Sequence, residues 1–504
     1  MSSSLSSVNR IVRNTIFLYM RSFVTMVIAI YTSRVVLKVL GVEDYGIYNL
    51  VGGVVALFSS LKGVFSSAIQ RYLNYTRGLG DEEGVKQIFS LSILIQAVLA
   101  LIYFGMVEGF GLWFIPHKLV IPDGMMDTAM FVFHCSLITS IITILAVPFD
   151  ALVIANEKMN YYAYISIAEA VLKLSVVFTL PLLPFIPLKS YAVLIMVIHI
   201  LTVIINMVYC RRFPECKIEK YWNKALFKQL ASFSGWNFLG NMIYTLIQEG
   251  TNIILNLFAG VVANAARGIA TQIRSALTTL SDNLYTASKP FVMQQAATVE
   301  KNTLFNYIYT LSRVIFYVML ITTIPIIVYA EQILGVWLVE IPEYTVSFVR
   351  VIMLFVLIRS LHSPIVMLYF AVGRIKRFQI TECIVGLLAL PLAYLFLYIG
   401  LPLYTAFIAM IIVELFNLTA IVLVAQKEME FKLIDYIKIV ILRCVLAFIV
   451  IAVVACIFYY FTHDVSKYIA MIWLILLALF EMALVYFVVL REDEKKLIIK
   501  LFAK

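Results

Sequence analysis

Arginines inside apolar stretches are the residues of this sequence that bear most directly on chemistry. Arg267 and Arg274 are two helical turns apart, and Thr271, Thr278, Ser281, Asp282 and Tyr285 join them on one side of a 100° per residue wheel. Ile269, Ile273, Leu277, Leu280 and Leu284 fall on the other side. The stretch before it carries Asn237, Asn241, Tyr244, Thr245, Gln248, Asn252 and Asn256 at helical spacing, and near the N-terminus Arg10, Asn14, Arg21, Thr25 and Thr32 share one face. Arg21, Arg267 and Arg274 outnumber the one acid on these faces, Asp282, so a cavity lined by them attracts an anion. The planar guanidinium fork suits phosphate oxygens in particular, and the amides suit hydroxyl-rich groups. Two plainer readings stand beside this one. Amides also hold neighbouring helices together, and Arg21 is close enough to an end of its stretch to snorkel toward headgroups.

The elements that must position these residues follow from composition. Of 504 residues, 63% are hydrophobic and 13% charged, with a mean hydropathy of +0.97. Soluble domains carry about 25% charged residues, and apolar runs of about 20 residues, enough to span a hydrocarbon layer roughly 30 Å thick, recur along this chain. Hydropathy between polar punctuation predicts about fourteen spans: 14–39, 46–70, 87–110, 128–154, 162–183, 190–210, 233–258, 261–288, 304–330, 345–371, 379–399, 403–425, 437–461 and 468–490. The fold class expected is an all-α polytopic membrane protein. A soluble enzyme, a secreted disulfide scaffold and a nucleic-acid-binding domain are excluded. The six cysteines show no CxxC spacing, the five histidines no metal-like pairing, and no GxxxxGK[ST] loop occurs, so neither a metal nor a cofactor is expected.

Basic residues are distributed unequally between alternate loops. With the N-terminus cytoplasmic, Arg10, Arg13, Arg71, Arg77, Arg211, Arg212, Lys217, Arg374, Arg377 and the tail from Arg491 all fall on the cytoplasmic side, against little beyond Lys38, Lys118, Lys189 and Lys467 opposite. The positive-inside rule therefore puts both termini in the cytoplasm. The net charge of +10 is accounted for by topology and contact with anionic membrane lipids.

Spans 1 to 6 and 7 to 12 read as two copies of one six-helix unit offset by about 219 residues: Phe58, Ser59, Ser60 and Leu61 align with Leu277, Thr278, Thr279 and Leu280, then Phe65 with Leu284, Ser67 with Thr286 and Ala68 with Ala287. The domain reading is an N-lobe at 1–215, a cytoplasmic linker at 216–232, a C-lobe at 233–425, and two added helices with a tail at 426–504. Parallel repeats of this kind place substrate at their interface and rock about it. Glu169 and Lys173 at i, i+4 read as a structural pair. Glu108, Arg350, Arg359, Glu382, Glu414 and Glu481 read as isolated charges, the acids among them being candidates for a coupling ion. Asn49, Gly53, Ala56, Ser60, Gly63, Ser67 and Gln70 form a small and polar stripe that serves either close packing or a cavity wall, and Lys62 lies off it.

The run Leu40, Gly41, Val42, Glu43, Asp44, Tyr45, Gly46, Ile47, Tyr48 resembles the LGxxxYGxY opening of bacterial Wzx-type polysaccharide flippases of the MOP exporter superfamily. The stretches Phe233-Ser-Gly-Trp-Asn-Phe, Asn264-Ala-Ala-Arg-Gly-Ile-Ala, Ile341-Pro-Glu-Tyr-Thr and Gly373-Arg-Ile-Lys-Arg are similar to the branch serving lipopolysaccharide and capsule biosynthesis. The resemblance implies a MATE-like, V-shaped transporter of two six-helix lobes, here with two further helices, in the bacterial inner membrane. It also implies transfer of an undecaprenyl-diphosphate-linked oligosaccharide from the cytoplasmic to the periplasmic leaflet, with other polysaccharide-assembly proteins as pathway partners. Related lipid flippases have a cationic central cavity, to which Arg21 and Arg267 or Arg274 correspond by helix.

On this reading Arg21, Arg267 and Arg274 hold the diphosphate, and Asn237, Asn241, Gln248 and Asn252 meet sugar hydroxyls. The chain is then not an enzyme, and coupling to a proton or sodium ion stays open. Two alternatives remain. A cation-coupled drug exporter of the same fold predicts a dominant acidic site; a membrane glycan polymerase or ligase predicts a large outer loop rich in arginine, whereas the outer loops near 111–127 and 331–344 are short. Orientation is directly testable. In a background lacking the other five cysteines, Cys216 should react with a membrane-impermeant maleimide only after permeabilisation of spheroplasts, while an Asp123→Cys replacement should react in intact ones; the opposite pattern would invert the topology.

Overall fold

The computed structural model describes residues 2–59, 69–70, 72–73, 76–77, 80–156, 158–217, 223–298, 301–462, 465–490 and 494–495. Every regular element among them is helical, as hydrocarbon requires: with no water to bond N–H and C=O groups, a lipid-exposed segment must satisfy them within itself. The helices are α1 Ser2–Ala56, α2 Glu82–Lys118, α3 Met126–Ala155, α4 Met159–Thr179, α5 Pro187–Cys210, α6 Lys224–Thr298, α7 Lys301–Val328, α8 Ala330–Trp337, α9 Thr345–Arg359, α10 His362–Val372, α11 Ile375–Leu387, α12 Ala389–Tyr398, α13 Thr405–Met429, α14 Leu433–Tyr436, α15 Leu442–Thr462 and α16 Lys467–Leu484. Twelve helical stretches among the described residues are long and apolar enough to cross a membrane. Two of the twelve, in α1 and α6, each join across a kink stretches read from sequence as two spans, 14–39 with 46–70 and 233–258 with 261–288.

Each of these two junctions is a glycine with non-helical backbone, Gly41 (φ 80°, ψ 175°) and Gly260 (φ 63°, ψ −160°). Both lie in a region of dihedral space essentially closed to residues with a side chain. From 41 to 260 is 219 positions, the offset of the internal repeat, so the same break recurs at the same register. The aligned residues from Ser60 to Ala68, and Lys62 with them, lie outside the described residues.

The chain forms two compact units, Met1–Ala265 and Ala266–Lys504. In the first, α1 packs along α4 and α3, and α3 lies between α2 and α5. The Leu40–Tyr48 motif has a physical role here. Gly41 makes the break, Tyr45 and Tyr48 turn inward with Tyr48 edge-on to Tyr191 at 5.0 Å, and Gly46 lies so close to Val261 that an added Cβ would sit 2.1 Å from its carbonyl oxygen. In the second unit α7 is central, with α9, α10, α15 and α16 packed on it, while α11 and α12 lie on α13. The helices after residue 432 are tied in by polar contacts: Tyr329 Oη to Thr462 Oγ1 at 2.6 Å, Lys467 Nζ donating to the Gly335 carbonyl at 2.9 Å, and a buried Arg313–Glu494 ion pair. Proline sets the internal breaks, since Pro364 and Pro391 have no N–H to give the carbonyls of Ser360 and Leu387, where α9 and α11 stop.

Gly41→Ala and Gly260→Ala should each lower stability by about 1–3 kcal/mol, the usual cost of a residue forced into a sparsely populated dihedral region. Gly46→Ala should cost more, because backbone rather than a flexible side chain blocks the methyl. Gly105→Ala, with nothing within 4 Å of the added Cβ, should be neutral or slightly stabilising. Thermal unfolding of the detergent-solubilised variants measures all four, and Gly46→Ala melting with Gly105→Ala would refute the close-approach argument.

Candidate functional site

The Gly260 break is stabilised by asparagines from the amide face of α6. A break in a helix strips backbone groups of their helical partners, and where the surroundings are buried, side chains tie the segments together instead. Asn256 Nδ2 donates to the Val120 carbonyl at 3.0 Å and its Oδ1 accepts the Val120 N–H at 2.8 Å. Across the break, Asn264 Nδ2 donates to both the backbone carbonyl and Oδ1 of Asn252 at 2.8 Å. Asn252 Nδ2 in turn donates to the Asn49 carbonyl at 3.3 Å and faces Glu249 Oε2 at 3.4 Å. Asn252 and Asn256 are 1% and 0% exposed, and a Cβ on Gly53 would meet Asn252 Nδ2 at 2.5 Å and Glu249 Oε2 at 2.6 Å. Of the small and polar stripe, Gly53 is thus a close-packing position whereas Asn49 also lines a cavity, and Asn252, expected to meet substrate, has its amide bonded within the fold. Asn241 is exposed, Gln248 is buried, and the Asn237 side chain lies outside the described residues.

A polar cavity of about 390 Å³ opens in the first unit, lined by Thr25, Thr32, Asn49, Ser166, Glu169 and Lys173 and walled by Tyr45, Tyr48 and Tyr191. The predicted polar face of the first span therefore does line a cavity at Thr25 and Thr32. Arg21, one turn earlier, is half-buried with its guanidinium 4.8 Å from the Tyr162 ring centre, a cation–π contact. Glu169 pairs with Lys173 at 2.7 Å as the spacing predicts, and it also meets His199 Nδ1 at 3.2 Å, whose Nε2 lies 2.7 Å from Thr143 Oγ1.

In the second unit Arg267 is 6% exposed and Arg274 is half-buried. On one straight helix their Cα atoms are separated by about 10 Å along the axis, and both side chains have polar or charged neighbours within the structure. Asp282 is exposed.

Four charges read from sequence as isolated are not. Glu108 meets His134 Nε2 at 3.2 Å. Arg359 on α9 reaches Glu414 on α13 at 2.7 Å and Glu382 on α11 at 3.2 Å, with His362 of α10 between the two acids. Two others keep the isolated character: Arg350 donates to the Ile327 carbonyl at 3.2 Å, and Glu481 is fully buried with no hydrogen-bond partner on either oxygen. Sequence reasoning also passed over Glu249. The missed signal was that Arg359, His362 and Glu414 fall near the middle of two later spans and Glu382 inside a third, and charges embedded in spans seek one another. No group of metal-ligating side chains occurs among the described residues.

Comparison with known proteins adds the family. No curated protein matches the chain. Solved structures with the same fold include an inward-facing multidrug-resistance transporter of the MATE family (TM-score 0.68, 14% identity, covering 80% of this chain and 94% of that one). Lipid II flippase MurJ in an inward closed conformation is similar at TM-score 0.66 and 14% identity, over 94% of this chain and 99% of that one. A MOP superfamily transporter from Pyrococcus furiosus, described as having a binding pocket of reversed polarity, matches at TM-score 0.60 and 16% identity, over 83% and 95% of the two chains. The fold is therefore the one these transporters share, and since the family described as polysaccharide biosynthesis protein matches residues 11–292, more than half of the sequence, this multi-pass membrane protein belongs to that family.

Proposed function

We propose that the protein is a flippase that carries an undecaprenyl-diphosphate-linked oligosaccharide from the cytoplasmic to the periplasmic leaflet of the bacterial inner membrane, for surface polysaccharide assembly. The observation that carries this reading is the family match across residues 11–292, a stretch that contains Arg21, Arg267 and Arg274 in otherwise apolar helices. Sugar and diphosphate cannot enter hydrocarbon unaided, because an ion moved into a low-dielectric medium loses most of its solvation. A hydrated passage with fixed cations replaces that solvation while the polyprenyl tail stays in lipid.

In this mechanism Arg21, Arg267 and Arg274 hold the diphosphate through paired N–H donors, a geometry lysine cannot reproduce. Asn241 and Gln248, together with Asn237, are the amides assigned to sugar hydroxyls, and Asn252 shapes the helix break that presents them. Alternating access then exposes the site to each leaflet in turn. Two negative charges moving outward across an inside-negative membrane gain roughly 4–5 kcal/mol per 100 mV, from about 2.3 per charge. The electrical gradient thus favours export without nucleotide hydrolysis.

The test is flipping of a fluorescent undecaprenyl-diphosphate oligosaccharide in proteoliposomes under an imposed potential. Arg267→Ala and Arg274→Ala should each slow flipping about tenfold or more, as loss of one charge-assisted contact to a phosphate implies, with unchanged melting temperature. The lysine replacements should fall between. Normal flipping in both alanine variants would remove the arginines from the site, and drug efflux without lipid flipping by the wild type would replace the function itself.

A further inference from the structure

His362 sits where a neutral imidazole does not fit. Its Nδ1 is 3.0 Å from Glu414 Oε1 and its Nε2 is 3.2 Å from Glu382 Oε1, so both ring nitrogens face carboxylate oxygens. Neutral imidazole has one N–H donor and one lone pair, and only imidazolium offers a donor on each side. A neutral ring in this position points a lone pair at an anion. Arg359 completes the group, donating from Nη1 to Glu414 at 2.7 Å and from Nη2 to Glu382 at 3.2 Å. With His362 protonated, two cations balance two anions; without that proton, one uncompensated negative charge remains in a buried site, which is costly.

The arrangement is closed on one side and open on the other. The side chains of His362 and Glu414 are 2% and 6% exposed, whereas those of Arg359 and Glu382 are 31% and 26% exposed. The imidazole contacts are close but off-axis, since neither ring nitrogen has an aligned hydrogen-bond acceptor, so the ring is held by charge. It also occupies the first position of α10, directly after the break at Ser360 and Leu361, where a half-helix adds its own positive end to the field on the two acids. The other titratable neighbours are Cys383, next to Glu382, and Tyr436, whose hydroxyl donates to the Leu361 carbonyl at 3.1 Å. The described part of α7, also packed against α10, places no charged side chain against the imidazole.

We infer that Arg359, His362, Glu382 and Glu414 form a binding site for one transported proton, carried on His362 and exchanged through Glu382. In the exchange step the His362 Nε2–H bond breaks, its electron pair stays on the imidazole, and the proton passes to Glu382 Oε1 and from there to water; reloading is the reverse. Separation of α10 from α11 and α13 during a transport cycle removes the carboxylates that hold the proton, and their return restores its affinity. This gives the flippase a second source of energy, the proton gradient, beside the electrical one. It rests on the flippase reading only for what the proton is coupled to.

Two measurements test it separately. In the full-length protein labelled with 15N-histidine in nanodiscs, the signal lost in His362→Gln should be that of a doubly protonated ring at pH 7, and it should lose one proton within about pH 5 to 9, the range in which histidines are tuned. Glu382→Gln should move that loss to lower pH, because a carboxylate favouring the charged form is gone. In proteoliposomes with the potential clamped at zero, an imposed pH gradient should change the rate of flipping of the fluorescent undecaprenyl-diphosphate oligosaccharide. The ratio of rates with and without the gradient should fall to about one in both His362→Gln and Glu382→Gln, as differential coupling to a single site requires. A neutral ring at every pH, a ring that stays charged throughout the range, or an unaltered rate ratio in both variants would each overturn the site. Failure of the wild type to flip the lipid would overturn the function instead, while the histidine spectrum would still decide whether the site binds its proton.

Discussion

A backbone placed in hydrocarbon must satisfy its own hydrogen bonds, and most of this structure follows from that constraint. It makes every described regular element helical. Where α1 and α6 depart from helical geometry, at Gly41 and Gly260, the departure is made at a residue without a side chain. At Gly260 an array of asparagines bonds across and beside the break. Asn252, Asn256 and Asn264 bond one another, the Val120 backbone and the Asn49 carbonyl, so the polar face of α6 has a structural portion near the break and leaves Asn241 exposed further from it.

The same constraint governs charge. The two units place their embedded acids differently. In the first, Glu169 lies between Lys173 and His199 and lines a polar cavity. In the second, Glu382 and Glu414 enclose a buried histidine and share one arginine. The two clusters are built from different positions, since at the offset of 219 Glu169 and His199 align with Leu388 and Leu418. The first is open enough to meet solute, and the second is sealed except along one edge.

The Leu40–Tyr48 run illustrates how a family motif acquires its residues. Gly41 supplies a backbone conformation closed to other residues, Gly46 allows the Val261 carbonyl to approach, and Tyr45 and Tyr48 wall the adjoining cavity. None of these positions has to touch a substrate to be required. Asn264 of the Asn264-Ala-Ala-Arg-Gly-Ile-Ala stretch is similar, since its amide ties the two sides of the Gly260 break together through Asn252, one turn before Arg267.

Sequence alone determined the solvent, the element type and the approximate limits of the helices, because the length and polarity of an apolar run are local properties that a bilayer reads directly. It also pointed to an offset of about 219, at which the Gly41 and Gly260 breaks recur, and to the amphipathic faces carrying Arg267, Arg274 and Asn241. It did not show that 14–39 and 46–70 continue through one glycine, since hydropathy dips identically at a kink and at a loop. Nor did it distinguish Asn252, committed to the fold, from amides that are not, because face and depth are shared by both. The grouping of Arg359, His362, Glu382 and Glu414 was decided only in three dimensions. These residues belong to three spans separated by dozens of positions, and periodicity tells which side of a helix is polar but not which helix that side will meet.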